Sequence, residues 1–446
     1  MFLSVGPSRA CGSACGSLRV VAREQPGQLL LSRAAKSQSL RRLPQGQSPQ
    51  PQKTRWSFIQ IHSSRAFSST SDRKSRKPRI SYRVAASSSG KSRPFLSTKD
   101  AQNFNPDTQD AIGVAVDVQD PAAKRKRRPD SGEDAFFVST IGRSGASTDN
   151  SVAFAVADGV GGWAESRVDP ADFSHAFCDY MAQTALAWDQ PAERLRAKAL
   201  LQAGYDRVVA DKFIRAGGST ASVGVGLEDG RIELANLGDS GSVLFRQAAV
   251  HHYSIPQTHG FNTPYQLSII PPRIRRQASI FGGAFLEDSP RDAIATNLLM
   301  QHGDVLMLAT DGVFDNLNNQ DILKLVTSRM LQTGAWVAST SPPAEIVPSD
   351  HQTLTRLTGP EGVSPLLYPA TRPPKRFATP LNPHNIAFTL QSVLAASITE
   401  EAKLASMDFR RDGPFAKKAQ RYYPGDYFRG GKVDDIAVLI IVAVEE

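Results

Sequence analysis

The sequence predicts an α+β fold in which antiparallel β-sheets and helices occupy separate layers. Segments with strand character are followed by two helices, then by further strands, a helix and a last strand. Several of these strands follow one another through short turns rich in Gly and Asp, which is typical of antiparallel pairing and not of βαβ units. Val305–Ala309 and Ile436–Val444 are continuous apolar runs, as expected of central strands.

The individual strands and helices are predicted from hydrophobic spacing. Ser151–Ala157 alternates large apolar side chains with alanines, which indicates a strand covered on both faces. The other predicted strands are Ile112–Val118, Ala135–Ser139, Thr220–Leu227, Ile232–Leu237 and Ser242–Arg246. Helical spacing predicts helices at Ala171–Trp188, Ala192–Lys212, Asp321–Met330 and Ile386–Lys403.

The folded domain is expected to span residues 108–446, with a surface insertion at 337–385. The insertion is rich in Pro, Ser and Thr and shows no period, which favours disorder. Residues 68–107 are interpreted as a disordered basic linker. The run Lys124–Arg128 resembles a nuclear localisation signal, but we interpret it as a solvated loop.

Residues 1–67 have the composition of a mitochondrial presequence. Across residues 1–100, 19 Lys and Arg accompany only three acids, and import signals are basic, acid-poor and partly amphipathic. The segment Arg65–Ser68 resembles a matrix-processing site. We therefore expect a mitochondrial protein, located in the matrix, whose mature chain starts near Ser68. The alternative is a disordered tail that binds acidic surfaces nonspecifically.

The positive charge is concentrated in the tail, and the rest of the chain is acidic. The whole chain has a net charge of +9, yet residues 101–446 carry 33 basic and 40 acidic residues. This argues against a nucleic-acid-binding body, which would need its own basic face. No apolar run is long enough to predict a transmembrane segment. Only Cys178 lies outside the tail, so the body has no disulfide framework.

Four short segments place acidic residues at the ends of predicted strands. They are Gly132–Asp134, Ala157–Trp163, Ala309–Asp315 and Lys432–Asp435. A single Asp-Gly most often marks a turn, but four such strand ends brought together would form an acid cluster that cannot ionise fully without a cation. Carboxylate and carbonyl oxygens are the ligands that Mg²⁺ and Mn²⁺ prefer. The sequence contains no cluster of Cys and His residues, so a zinc site is not expected.

These segments, with Gly218–Ala221 and Gly238–Ser240, resemble in their order the metal-dependent protein phosphatases of the 2C type. Gln257–Asn262 and Pro414–Ala419 resemble the mitochondrial branch of that family. The resemblance covers about residues 108–446. It implies a four-layer α-β-β-α sandwich of two antiparallel sheets with flanking helices.

The resemblance also implies an activity: hydrolysis of phosphoserine and phosphothreonine on proteins by a hydroxide that bridges two Mg²⁺ or Mn²⁺ ions. Asp158, Asp311 and Asp434 would be catalytic through the bound metals. The implied metal ligands are Asp158, Gly159, Asp311 and Asp434, with Glu133 and Asp134 acting through water, and Asp239 and Asp315 at positions that take a third, weaker ion in some relatives.

Two positions depart from the family pattern. Val160 stands where many relatives have a His that is a proposed general acid, and Pro129 where many have a phosphate-binding Arg; Arg128 is adjacent. We expect both departures to affect the efficiency of catalysis and not the type of reaction. Cys178 lacks the phosphate-binding loop of a cysteine phosphatase, so we interpret it as a buried helix thiol.

The alternative function is a noncatalytic regulatory protein that keeps the phosphatase fold. Such a protein should have lost metal carboxylates, whereas Asp158, Asp311 and Asp434 are all present. An RNA-binding function would rest on the basic tail and the run Lys124–Arg128, without interleaved aromatic residues or a recognised motif. We expect a monomer whose partners are phosphorylated proteins, with no nucleic acid and no transmembrane segment.

Overall fold

The computed structural model describes residues 79–142, 150–280, 287–340, 342–367, 388–425 and 427–446. The strands, in chain order, are β1 Ile80–Ser89, β2 Ala101–Phe104, β3 Ala111–Ile112, β4 Ala135–Thr140, β5 Val152–Ala157, β6 Gly217–Ser219, β7 Ala221–Gly226, β8 Arg231–Leu237, β9 Gly241–Arg246, β10 Ala249–Tyr253, β11 Thr258–Gly260, β12 Thr263–Pro264, β13 Leu267–Ile269, β14 Ile294–Leu299, β15 Val305–Ala309, β16 Trp336–Ala338, β17 Ile346–Pro348 and β18 Ile436–Glu445. The α-helices are α1 Pro121–Arg127, α2 Pro170–Leu186, α3 Ala197–Ala210, α4 Pro272–Ile280, α5 Asp311–Phe314, α6 Asn319–Thr333, α7 His351–Thr358, α8 Leu390–Met407 and α9 Pro414–Tyr422.

Two six-stranded sheets form the centre of the molecule. The first has the order β10-β9-β15-β18-β1-β2 and the second the order β14-β8-β7-β5-β4-β3. Every neighbouring pair in both sheets is antiparallel. The antiparallel arrangement predicted from the sequence is confirmed.

Alternation along the central strands divides the core into three apolar layers. In β18, Val438 and Ile440 pack toward helices α6 and α8, while Leu439 and Ile441 point to the space between the sheets. In β5, the large side chains point to that same central space and the alanines face α2 and α3. This alternation gives the four-layer α-β-β-α sandwich, in which each sheet is covered by its own helices.

The start of the fold differs from the expectation, because β1 lies within the range interpreted as a disordered linker. Its ten residues pair along their whole length with β18, from Ile80 opposite Glu445 to Ser89 opposite Ile436. The serines at 87–89 are buried, and a run of serines gives no hydrophobic signal. The boundary at residue 108 is therefore too late.

Three other predictions from the sequence need correction. The strand expected at Ile112–Val118 is only Ala111–Ile112. The basic run expected as a loop lies in helix α1, which Asp120 caps and which pairs with the acids of α2. The insertion at 337–385 contains most of the hairpin β16–β17 and helix α7. Leu354 and Leu357 of α7 are buried in the apolar layer between the first sheet and its helices, which holds this helix in place.

The presequence prediction at residues 1–67 and part of the insertion, residues 368–387, lie outside the described residues. Within the described part of the chain, no helix combines the length and the hydrophobicity needed to span a membrane.

Candidate metal centre

The acidic residues of the second sheet lie at one end of adjacent strands. Asp158 follows β5 and Asp134 precedes β4, and the two positions are side by side because Ala135 pairs with Ala157. Thr220, just before β7, fixes the backbone of Asp158: its hydroxyl accepts the Asp158 N–H at 3.2 Å, and its own N–H donates to the Asp158 carbonyl at 3.0 Å.

The acidic residues of the first sheet meet them from the other side. Asp311 follows β15 and Asp434 precedes β18, and these ends coincide because Ala309 pairs with Val438. The Thr310 hydroxyl joins the two sheets by donating to Asp134 Oδ2 at 2.7 Å. The four strand ends are therefore together, as the sequence predicted.

Three carboxylates form the tightest group. Asp158, Asp239 and Asp311 each offer an oxygen, and these oxygens all lie within 4.8 Å of one another. Asp239 reaches this group from the turn between β8 and β9, and its Oδ1 is buried without a hydrogen-bond partner. A buried, unpartnered carboxylate oxygen is unfavourable unless a cation or a donor meets it.

Glu133 is positioned through Asp435, which is almost fully buried. Asp435 Oδ2 accepts the Glu133 N–H at 2.9 Å, and its Oδ1 accepts the Lys91 N–H at 2.5 Å. Gly132 makes this contact feasible, because it has φ +71° and an added Cβ would lie 2.1 Å from Asp435 Oδ1. Asp435 is a positioning residue that the sequence reasoning did not assign.

Gly159 allows two of the acidic segments to pack closely. Its N–H donates to the Glu133 carbonyl at 3.2 Å, and an added Cβ would lie 2.6 Å from that same oxygen. Any side chain at this position would push the Glu133 segment away from Asp158. The Asp158-Gly159 pair therefore serves packing, whether or not the Gly159 carbonyl also binds a metal.

Burial and mutual repulsion destabilise the ionised form of these carboxyls. Burial is the larger cause that raises the pKa of Asp158, and the charge of Asp311 adds to it. The same two causes raise the pKa of Asp239 to about 7. Burial, with the charge of Asp435, also raises the pKa of Asp134 well above its usual value. An acid cluster of this kind, with oxygen donors only, fits a hard divalent cation such as Mg²⁺ or Mn²⁺.

Lys432 is the second residue of the site that sequence reasoning did not assign. Its Nζ lies 2.7 Å from Asp311 Oδ2, 2.6 Å from Asp315 Oδ2 and 3.0 Å from Asp434 Oδ2. Burial alone would lower the pKa of Lys432, but the charges of these acids outweigh it and raise the pKa above its usual value. The sequence feature that could have identified Lys432 is its position two residues before Asp434, an acid at a strand end.

A cavity of about 320 Å³ adjoins the acids. Phe415 at its wall contacts Phe261, with ring centroids 5.1 Å apart. The two segments that resemble the mitochondrial branch, around residues 257–262 and 414–419, are thus in direct contact beside the centre. The cavity is also lined by three acids and two further aromatic residues: Asp239, Asp311, Asp315, Tyr253 and Phe314.

Val160 and Arg128, which lie at and beside the two departures from the family pattern, both have partners within the protein. Val160 is half-buried and donates its N–H to the Gly218 carbonyl at 3.0 Å. The Arg128 guanidinium is engaged by acids of α2, with Nη2 2.7 Å from Asp172 Oδ1.

The remaining candidates for proton transfer or nucleophilic attack are buried or paired. Burial lowers the pKa of His175 to about 3, so the imidazole is neutral at pH 7 and cannot act there as an acid. His259 Nε2 lies 3.0 Å from both oxygens of Asp288. Cys178 is fully buried in α2 and burial raises its pKa, which confirms its interpretation as a buried helix thiol.

Sequence comparison relates the chain to protein phosphatases. The sequence pattern of the family described as protein phosphatase 2C matches residues 126–340. The mitochondrial protein phosphatase 2C homolog 7 of Saccharomyces cerevisiae is 36% identical over 53% of this chain and 66% of its own, just under two thirds of its length. The protein phosphatase PTC7 homolog of Xenopus laevis is 31% identical over 65% of this chain and 76% of its own.

Solved structures share weaker similarity. The photosystem II phosphatase PBCP is 22% identical, with a TM-score of 0.45 over 73% of this chain and 95% of its own. The catalytic domain of the serine/threonine phosphatase PstP, solved in complex with two manganese ions, is 14% identical, with a TM-score of 0.37 over 82% of this chain and 99% of its own.

Proposed function

Because the chain belongs to the protein phosphatase 2C family, we propose that it hydrolyses phosphoserine and phosphothreonine on proteins with the help of two divalent metal ions. Membership of this family confirms the resemblance seen in the sequence. The ions, their number and the substrates are the proposal.

The observation that carries the proposal is the group formed by Asp158, Asp239 and Asp311, whose oxygens lie within 4.8 Å of one another. No Cys or His belongs to this group, which suits Mg²⁺ or Mn²⁺ and not zinc. The raised pKa values of Asp158 and Asp239 supply a driving force for binding, because a divalent ion relieves the repulsion between the carboxylates.

We assign the ligands as the sequence predicted them. Asp158, Asp311, Asp434 and the Gly159 carbonyl would hold the ions directly, and Glu133 and Asp134 would act through water. When bound, such ions would lower the pKa of bound water and neutralise charge on the phosphoryl oxygens.

The chain's own residues position this chemistry. Thr310 holds Asp134, and Asp435 holds the Glu133 backbone, by hydrogen bonds that exist without an ion. The cavity beside Asp239 and Asp311 gives a phosphorylated side chain access to the acids, and its aromatic walls suit apolar neighbours of that residue. Val160 has no proton to donate, so the leaving alkoxide must take its proton from water or from another group.

The noncatalytic alternative predicts binding of phosphoproteins without turnover. The experiment that separates the two is hydrolysis of a phosphoserine peptide by the full chain with Mn²⁺, before and after a thiol-alkylating reagent. We expect turnover that alkylation leaves unchanged, because Cys178 is fully buried and its pKa is raised. Binding without turnover at saturating Mn²⁺ would support the regulatory alternative.

We also propose a mitochondrial location. The supporting observations are the basic, acid-poor residues 1–67 and the yeast relative whose name includes the mitochondrion. The matrix, the monomeric state and phosphorylated matrix proteins as substrates stay part of this proposal.

A further inference from the structure

Lys432 is a fixed positive charge inside the acidic centre. We propose that its ammonium occupies the position between Asp311 and Asp315 that a third divalent ion would need, so that the chain holds two divalent ions and not three. This inference rests on the proposed metal-dependent function and concerns how many ions that function uses.

The ammonium forms hydrogen bonds with Asp311 and Asp315 and an ion pair with Asp434. An ammonium has three N–H donors and no acceptor, and Nζ contacts one oxygen from each of three carboxylates at 2.6–3.0 Å. Only 18% of the side chain is exposed. The lysine thus satisfies three acids at once, in the way that a bound cation would.

The rest of the residue holds the ammonium in place. The Lys432 N–H donates to Asn316 Oδ1 at 2.9 Å, and Asn316 Nδ2 donates to the Lys432 carbonyl at 2.9 Å. Asn316 Nδ2 also donates to the Gly312 carbonyl at 2.9 Å, which ties the lysine to helix α5 and hence to Asp311. Nζ lies 5.0 Å from the centre of the Phe415 ring, within range of a cation–π interaction.

A divalent ion and this ammonium cannot share the same oxygens. Mg²⁺ binds carboxylate oxygens at about 2.0–2.1 Å, so an ion bound to Asp311 Oδ2 and Asp315 Oδ2 would overlap Nζ. Asp158 and Asp239, which form the group with Asp311, are not among the three acids that Lys432 contacts. The geometry therefore leaves room for ions on the Asp158 side and fills the Asp315 side with the protein's own cation.

Lys91 provides a matched control. Its Nζ lies 3.0 Å from Glu133 Oε2 and 3.7 Å from Asp435 Oδ2, on the part of the centre formed by the first acidic segment. Replacing Lys91 by Met removes the same charge from the same centre. It does not open the position between Asp311 and Asp315.

The test is the number of Mn²⁺ ions bound per full-length chain, measured by equilibrium dialysis and metal analysis at saturating Mn²⁺. We expect two ions for the wild type and for Lys91→Met, and three for Lys432→Met. Without metal, Lys432→Met should melt at a lower temperature than Lys91→Met, because three carboxylates lose their shared cation, and Mn²⁺ should restore its melting temperature.

Three ions in the wild type, or the same number in a folded Lys432→Met as in the wild type, would overturn the inference. If Lys432→Met does not fold, the wild-type count still decides. A wild type that binds no Mn²⁺ and hydrolyses no phosphopeptide would reject the proposed function itself. A wild type that is active with three ions would reject only the role of Lys432.

Discussion

At the residue scale, neighbouring acids in one short segment have different tasks. Asp434 contacts the Lys432 ammonium in the centre, whereas Asp435 is buried and holds the backbone of Lys91 and Glu133. Adjacent residues of an extended segment point to opposite sides, which explains the division. The resemblance implied a role for Asp434 alone, and the fold adds the backbone contacts of Asp435.

Asp158→Asn and Asp311→Asn should each remove most of the turnover while leaving the fold intact. Substitution of residues that only hydrogen-bond to metal ligands costs about 10–100-fold in activity, and loss of a ligand charge should cost more than that. Thermal stability without metal should stay equal or rise, because burial and repulsion raise the pKa of Asp158 and an amide removes that repulsion.

Peptide hydrolysis at saturating Mn²⁺ and thermal melting without metal check this prediction. Asp304→Asn is the control, because Asp304 pairs with Arg246 at 2.5 Å through a buried contact outside the acid cluster. It should lower the melting temperature and leave turnover per folded molecule near the wild-type value. Wild-type turnover in both centre variants would exclude Asp158 and Asp311 as ligands.

Val160 should make the rate depend steeply on the leaving group. General acid catalysis contributes about 10²–10⁴-fold, and neither valine nor the neutral, buried His175 can supply it at pH 7. We expect a steep slope of log kcat against leaving-group pKa for aryl phosphates. Val160→His should flatten that slope, with the largest gain for poor leaving groups. A shallow slope in the wild type would show that another proton donor is already present.

At the element scale, the sequence predicted those strands and helices whose hydrophobic pattern is self-contained. β5, β15 and β18 are continuous apolar runs, and their strand ends placed the acids correctly. The sequence did not predict β1 and α1, because both are stabilised by contacts with residues far away in the chain. β1 is held by pairing with both β18 and β2, and α1 by ion pairs to the acids of α2.

The candidate site shows the same limit. Its acids could be predicted because each one terminates an apolar strand, but the contacts that organise them join residues far apart in the chain. Thr310 reaches Asp134, and Asn316 reaches Lys432. No local sequence pattern encodes such contacts. The pairing of Lys432 with the acids of the centre could therefore be seen only in the fold.

Truncation tests the corrected boundary. A chain that starts at residue 74 should fold, whereas a chain that starts at residue 108 should show no cooperative thermal transition. The second chain lacks β1, so the long central strand β18 loses one of its two partners and Val84 and Ala86 leave the core between the sheets. A melting temperature for the shorter chain close to that of the longer one would contradict the assignment of β1 to the fold.

At the scale of the whole molecule, we expect the basic tail to be cleaved from the acidic body in the cell. We expect the mature chain to begin near Ser68 and to reside in mitochondria, since 19 basic and three acidic residues occupy positions 1–100. Mass spectrometry of the native N-terminus, on protein from fractionated cells, checks this. An intact Met1, or a chain found only in nuclei, would give the tail another role.

The central claim is that the end of the sandwich where Asp158 and Asp311 meet binds divalent ions. The most direct measurement is anomalous diffraction at the manganese edge from crystals of this protein grown with Mn²⁺. We predict two peaks at bonding distance from oxygens of the group that contains Asp158 and Asp311, and no peak between Asp311 and Asp315. Crystals that show no anomalous peak near either aspartate at saturating Mn²⁺ would contradict the account.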